Sequence, residues 1–504
     1  MPDEALSQTP AGQADPATTL DPPTTIGGIL RQLGPGLIIA GSIVGSGELI
    51  ATTAVGAEAG FVLMWLIIIG CVIKVFVQIE FGKYAIINGK TTLDGMNEVP
   101  GPRLLGSPKK RANWICWFWL IFTVVALAQV GGLIGGVGQA MSIQFPLTDS
   151  GQMVNTFYDE QVALQRADPS HQLPTTRPAT YDPQVWAAVI TFGSIFILVV
   201  GRYRLIQNVS TALVAMFTLI TILNLILMQM MPDQRVSLNE LVSGMTFTIP
   251  PGDGLKVALA AFGIIGVGAT ELIQYPYWCL EKGYAKWTGP RDDSEAWAKR
   301  AEGWLRVLKW DAWCSMVVYT FATIAFYLLG AAILGRSGLN PKGDYLIRML
   351  GEMYVPVFGD WAQAVFLFGA FAVLYSTFFV ATASHARVLA DGVRVFGISP
   401  GGENAYRYWT RIFCGVLPVL FLACFVFIPA PRELVLAGGF MGALMLPMLG
   451  VTALYARYRR TDARLLPGKV WDVMLWLSVV GLFMAGGWAF YTKIIEPMLK
   501  GSGA

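Results

Sequence analysis

The chain has 504 residues, 54% of them hydrophobic and only 14% charged, with a mean hydropathy of +0.54. That leaves too little polar side chain to coat a soluble globule of this length, so the composition excludes a soluble enzyme and predicts an all-α polytopic protein embedded in the lipid bilayer. A net charge of +3 supplies no extended basic face, which excludes nucleic acid as a partner.

Residues 1–28, rich in Pro, Thr, Ala and Asp, bury too little apolar surface to fold and are expected to form a disordered cytoplasmic tail. No basic stretch followed by a short apolar core opens the chain, so no signal peptide is read. Apolar runs of about 20 residues, enough to cross about 30 Å of hydrocarbon, then recur along the sequence. They fall near 36–57, 61–82, 114–140, 184–201, 209–231, 255–279, 310–335, 360–386, 409–429, 433–456 and 470–492, which makes eleven spans. A transmembrane domain is therefore expected over 29–495, with one repeat at about 36–231, a second at about 255–456 and an extra helix at 470–492. The polar, acid-rich stretch at about 141–183 reads as an extracellular loop. A cytoplasmic N-terminus puts most of the basic residues in inside loops, among them Lys83, Lys90, Lys109, Lys110, Arg111, Lys299, Arg300, Arg457, Arg459 and Arg460, as expected for a bacterial-type inner membrane.

The most informative feature is an internal repeat. The first span reads IVGSGELI from Ile43 to Ile50 and the sixth reads GVGATELI from Gly266 to Ile273, so both carry V-G-x-x-E-L-I. Gly45 and Gly47 in one copy, and Gly266 and Gly268 in the other, each lower helix propensity by about 1 kcal/mol relative to Ala, and the helices are expected to break there. Hydrocarbon cannot satisfy the freed backbone groups, so paired breaks in two halves mark the transport site of inverted-repeat carriers.

Glu48 and Glu271 then stand beside the two breaks. A carboxylate at that depth costs about 2.5 kcal/mol or more unless a cation, a proton or a basic group compensates it. Facing one cavity, the pair makes a hard, oxygen-rich site for a divalent cation, completed by carbonyls near Gly45 and Gly268 and by the side chain of Gln274. The bland readings stand beside this one. Lys74 neutralises a glutamate in a structural ion pair or simply snorkels; Gln78 and Glu80 are interfacial; Gln129, Asn224 and Gln139 hydrogen-bond between helices; His385 is structural or interfacial at the end of span eight. In the functional reading Lys74, Gln129 and His385 form a proton or charge relay.

Gly131 to Gly138 in span three read as a close-packing surface, and Met441, Met445 and Met448 as lipid-facing or core residues. Trp114, Trp117 and Trp119 read as an interface belt. The six cysteines show no CxxC pair and read as free thiols. With two histidines and no nucleophile–base cluster, no catalytic residue is assigned.

On Gly34 to Gly36, the glycine-rich break, GAEAGFVLMW from Gly56 to Trp65 and GATELIQYPY in span six, the chain resembles the Nramp (natural resistance-associated macrophage protein) family of divalent metal transporters. The resemblance implies an inverted 5+5 repeat of the kind seen in amino-acid transporters, with broken helices 1 and 6, alternating access, and a divalent metal ion as transported substrate. No other cofactor and no obligate protein partner are expected. The departures are specific. The family's Asp-Pro-Gly-Asn stands here as Gly45, Ser46, Gly47 and Glu48; its Met-Pro-His falls on Leu272, Ile273 and Gln274; its acidic residues in span three fall on Ala126 and Gln129. Losing the thioether leaves oxygen donors only, which leans the expected Mn/Mg/Fe class toward hard ions. The alternative is a small organic solute or amino-acid carrier of the same fold, proton-coupled or not, with Lys74 or a protonated glutamate in place of a coupling ion.

Overall fold

The computed structural model describes residues 19–104, 112–168, 171, 174, 178–200, 203–232, 234–249, 254–339, 341, 345–466 and 468–501. Among these, nine helices are long and apolar enough to cross a bilayer: Pro35–Ala59, Met64–Asn88, Trp114–Gln144, Asp182–Val199, Glu295–Gly335, Ala362–Val395, Glu403–Phe427, Pro431–Arg460 and Lys469–Met498. The remaining two of the eleven expected spans are present in other forms. Span five is the helix Tyr203–Met228, whose apolar part is the shorter Val214–Met228. Span six is split into Gly254–Phe262 and Ala269–Lys282, each too short to cross alone. The chain is thus a mostly helical integral membrane protein of two five-span halves, each opening on an interrupted helix, with span eleven added; its one sheet among the described residues is the short antiparallel pair Arg103–Leu104 and Ala112–Asn113.

Glycines set how closely these helices pack. In span three, a Cβ on Gly132 would meet the Pro431 carbonyl at 2.4 Å and one on Gly138 the Pro183 carbonyl at 2.2 Å, so the run expected to be a packing surface lies directly against spans ten and four. Between the first two spans Gly60, at φ +61°, makes the tight turn.

Several expectations change. Residues 19–28 of the expected tail join the folded body: the Leu20 amide donates to the Trp287 carbonyl, the Trp304 indole donates to the Leu20 carbonyl, and a short helix, Ile26–Gln32, is capped by Thr25. Residues 1–18 lie outside the described residues. Span seven begins at Glu295, capped by Ser294, about four turns before the apolar run, because Trp297 and Trp304 give its polar first half a buried face. The loop at 141–183 contains a helix, Asp149–Ala167, and Arg348 pairs with Asp159 and Asn155 across it.

Gln78 and Glu80, expected near the cytoplasmic end of span two, are buried within the protein. Spans seven and eleven cover that face of span two, and Glu80 pairs with Lys83 at 3.2 Å and accepts from the Trp471 indole at 2.7 Å. Trp119 is buried and leaves the aromatic belt, and Met445 and Met448 are core residues. The six cysteines are free.

Candidate functional site

The two interruptions differ in kind. In span one the helix widens without opening: Val44–Thr52 is a π-helical stretch, in which the Thr53 amide reaches back five residues to the Glu48 carbonyl. The hydroxyls of Thr52 and Thr53 donate to the carbonyls of Gly47 and Glu48 at 2.9 and 3.2 Å, so the loosened turn is tied by side chains. Segments of this type concentrate at functional positions. Span six is opened outright between Phe262 and Ala269, with Gly266 at φ +61° and the Gly263 carbonyl accepting from the Ala269 amide at 3.0 Å.

The glycines of span one are as much about approach as about helix breaking. A Cβ on Gly45 would lie 2.2 Å from Thr377 Oγ1 of span eight, and one on Gly47 would lie 2.9 Å from the Ile264 carbonyl oxygen within the break of span six. The backbone of one interruption therefore rests on the backbone of the other.

Glu48 is the side chain that joins them. It is fully buried; its Oε1 accepts from the Gly266 amide at 3.2 Å and from the Thr323 hydroxyl of span seven at 2.6 Å, while its Oε2 has no hydrogen-bond partner. Glu271 sits in the first turn of Ala269–Lys282, where the helix dipole favours a negative charge; its Oε2 accepts from Thr270 Oγ1 at 2.9 Å. Lys74 and Glu271 are the ionisable groups whose charges bear on Glu48. One turn beyond Glu271, Gln274 is buried with its Nε2 3.5 Å from His385 Nδ1 and its Oε1 unpartnered.

Residues 178–492, well over half the chain, match the family model for natural resistance-associated macrophage protein-like (Nramp) sequences. The chain belongs to the Nramp family. A curated relative, an uncharacterized protein of Pasteurella multocida (strain Pm70), is 21% identical over 475 residues and covers 89% of both chains. Among solved structures, a mutant of the manganese transporter of Eremococcus coleocola superposes with a TM-score of 0.57 at 14% identity, covering 93% of this chain and 88% of that one. The same transporter in complex with an aromatic bis-isothiourea substituted compound gives equal values. At that identity the likeness shows the shared fold.

Within this Nramp chain the expected site residues part company. Glu48 meets the break in span six, and Glu271 and Gln274 lie on the half-helix that follows it. Gly268 does not present a carbonyl freed by the break: it caps the half-helix, and its oxygen accepts from the Leu272 amide at 2.9 Å. The carbonyls of Phe262 and Ile265, by contrast, both accept from the Lys74 ammonium, the second at 2.7 Å. Lys74 accordingly makes no ion pair with either glutamate, and it does not snorkel, because it is fully buried at the middle of span two. His385 is buried within the protein against span six through Gln274. Gln129 packs on Gly438 of span ten, a contact between helices. Two contributors lie outside the repeat motif. Thr323 escapes notice because a threonine in an apolar helix has no distinguishing pattern, and Thr377 because its role is to fill the space Gly45 leaves. Among the described residues no three His, Cys, Asp or Glu side chains gather as a metal-ligating cluster.

Proposed function

We propose that this Nramp chain is a secondary transporter, not an enzyme, that moves a divalent metal cation across the membrane by alternating access, with Glu48, Glu271 and Gln274 as its side-chain ligands. Family membership supports metal-ion transport in general. The observation that carries the specific reading is the state of two buried oxygens: Glu48 Oε2 and Gln274 Oε1 have no partner, on residues flanking the two interruptions. A buried carboxylate oxygen left unpaired is unfavourable by more than about 1 kcal/mol, and a cation arriving between the two spans would relieve it.

The donors are oxygens, with no thioether or thiolate among them. That set favours a hard ion of the Mg or Mn class, and one or two carboxylates suffice for such an ion because it keeps several of its own waters. Gly45 and Gly268, expected as carbonyl donors, are second-rank in this reading: the first packs on Thr377 and the second is engaged in its own helix.

The test is calorimetric binding of Mg, Mn and Ca ions to the purified protein beside Glu48→Gln and Glu271→Gln, followed by flux into proteoliposomes. The reading requires saturable binding that weakens at least about tenfold, about 1.4 kcal/mol, in each variant. Wild-type protein that binds none of the three ions but binds a small organic solute would replace it with the carrier alternative.

A further inference from the structure

The break in span six leaves two carbonyls that no backbone donor satisfies, and a charged side chain from another span takes both. Lys74 Nζ donates to the Phe262 and Ile265 carbonyls, the latter at 2.7 Å, and stands 4.5 Å from the centroid of the Phe262 ring. Phe262 is the last residue of the nine-residue helix Gly254–Phe262, so its carbonyl belongs to the negative end of a helix dipole. Carbonyls at a half-helix C-terminus, further carbonyls from unwound backbone and an aromatic face are the surroundings in which a desolvated cation is stable, and carriers with broken spans coordinate monovalent coupling ions there. Here the cation is covalently attached. No carboxylate lies within ion-pair distance of Lys74 among the described residues, so its charge is balanced by the helix end and by the wider field of Glu48 and Glu271.

We propose that Lys74 is a tethered cation: from span two it fills the carbonyl position at the break of span six that an alkali ion would otherwise occupy, so that removing its ammonium exposes a latent monovalent-cation site. The carbonyls of Phe262 and Ile265 that Lys74 takes are not among the oxygens assigned to the divalent ion, and the inference holds whatever the transported substrate is. It implies a carrier whose folded state needs neither sodium nor potassium.

The experiment follows the melting temperature of detergent-purified full-length protein in choline chloride, with choline replaced stepwise by sodium, potassium or methylammonium at constant ionic strength. Wild type should be indifferent to the exchange. Lys74→Ala should melt lower in choline and recover saturably, by on the order of 3 °C, with at least one of the three small cations. If Lys74→Ala does not accumulate, Lys74→Gln, which keeps most of the volume and replaces the ammonium by an uncharged NH2, is read by the same criteria. A saturable rise in wild type, or a variant that responds no more than wild type does, overturns the proposal. Because no divalent ion is added, the outcome is separate from that of the calorimetric titration.

Discussion

Thr323 Oγ1 lies 2.6 Å from Glu48 Oε1 and also 2.6 Å from the Tyr319 carbonyl oxygen, so one hydroxyl proton stands between two acceptors. With Glu48 ionised, the hydroxyl donates to the carboxylate; with Glu48 protonated, it can accept from the carboxyl and donate to the carbonyl. Both states of Glu48 are therefore accommodated without movement of the backbone, which suits a group that exchanges a proton for a cation. Thr323→Val keeps the shape and removes this exchange. A hydrogen bond to a charged group contributes about 1.5–3 kcal/mol, so divalent-ion affinity should fall about tenfold or more. Thr320→Val, at a hydroxyl that lies against Met316 Sδ at 3.4 Å, is the control and should bind as wild type does. Equal affinities in the two variants would remove Thr323 from the site.

How far the sequence led can be judged residue by residue. The spans were legible because bilayer thickness imposes a run length, and the sixth span's break was legible because its paired glycines lower helix propensity; the structure adds that Gly266 takes a positive φ there. Glu48 was legible because an acid within a span needs a reason. Its partners were not, since the Thr323 contact spans 275 positions and the Gly266 contact 218. For Lys74 the sequence leaves an ion pair, snorkelling and a relay open, and the carbonyls it binds become visible only once the helix is known to end at Phe262. The burial of Gln78 and Glu80 was not legible for a related reason, because the cover supplied by spans seven and eleven is a property of packing rather than of local pattern.

The contact between the break and span ten admits no side chain. A Cβ on Gly263 would lie 1.9 Å from the Gly439 carbonyl oxygen and 2.3 Å from the Ala443 amide, both backbone atoms that cannot rotate away. Gly263→Ala should therefore destabilise the protein by about 1–3 kcal/mol through overpacking, read as a lower melting temperature or loss of the monodisperse peak. Gly193→Ala in span four, where nothing lies within 4 Å, should be neutral or slightly stabilising through helix propensity. An unchanged melting temperature in Gly263→Ala would contradict the packing described.

Outside the membrane, Asp462 joins the end of span ten to the segment before span seven. The Arg464 side chain, first among its partners, and Arg291, whose guanidinium lies at 2.8 Å, hold the Asp462 carboxyl down at about 2 from an ordinary value of 3.8. A depressed folded-state value contributes stability that is present above about pH 4 and lost as the pH falls toward 2. Asp462→Asn should consequently melt below wild type at pH 7, and the gap should narrow from about pH 4 downward. A gap that is constant from pH 7 to pH 3 would mean that the charge is not the source of the effect.

At the other end of span one, a single buried carboxylate holds three elements. Asp311 of span seven accepts from the Gly34 amide at 2.8 Å through Oδ1, and from the Gly36 amide at 2.6 Å and the Tyr275 hydroxyl at 2.9 Å through Oδ2. It thereby caps the start of span one, which begins at Pro35 with no side-chain cap of its own, and ties it to the second half of span six. Both oxygens must accept, which is the property that an asparagine side chain lacks: in either orientation of the amide introduced by Asp311→Asn, its NH2 would face an N–H donor. Asp311→Asn should thus be nearly as harmful as Asp311→Ala, each costing about 2 kcal/mol or more, whereas Tyr275→Phe removes one donor and leaves both amides capped. Melting temperatures of the three variants decide the matter. If Asp311→Asn melts close to wild type while Asp311→Ala does not, one accepting oxygen is enough, and the double cap is not what anchors span one.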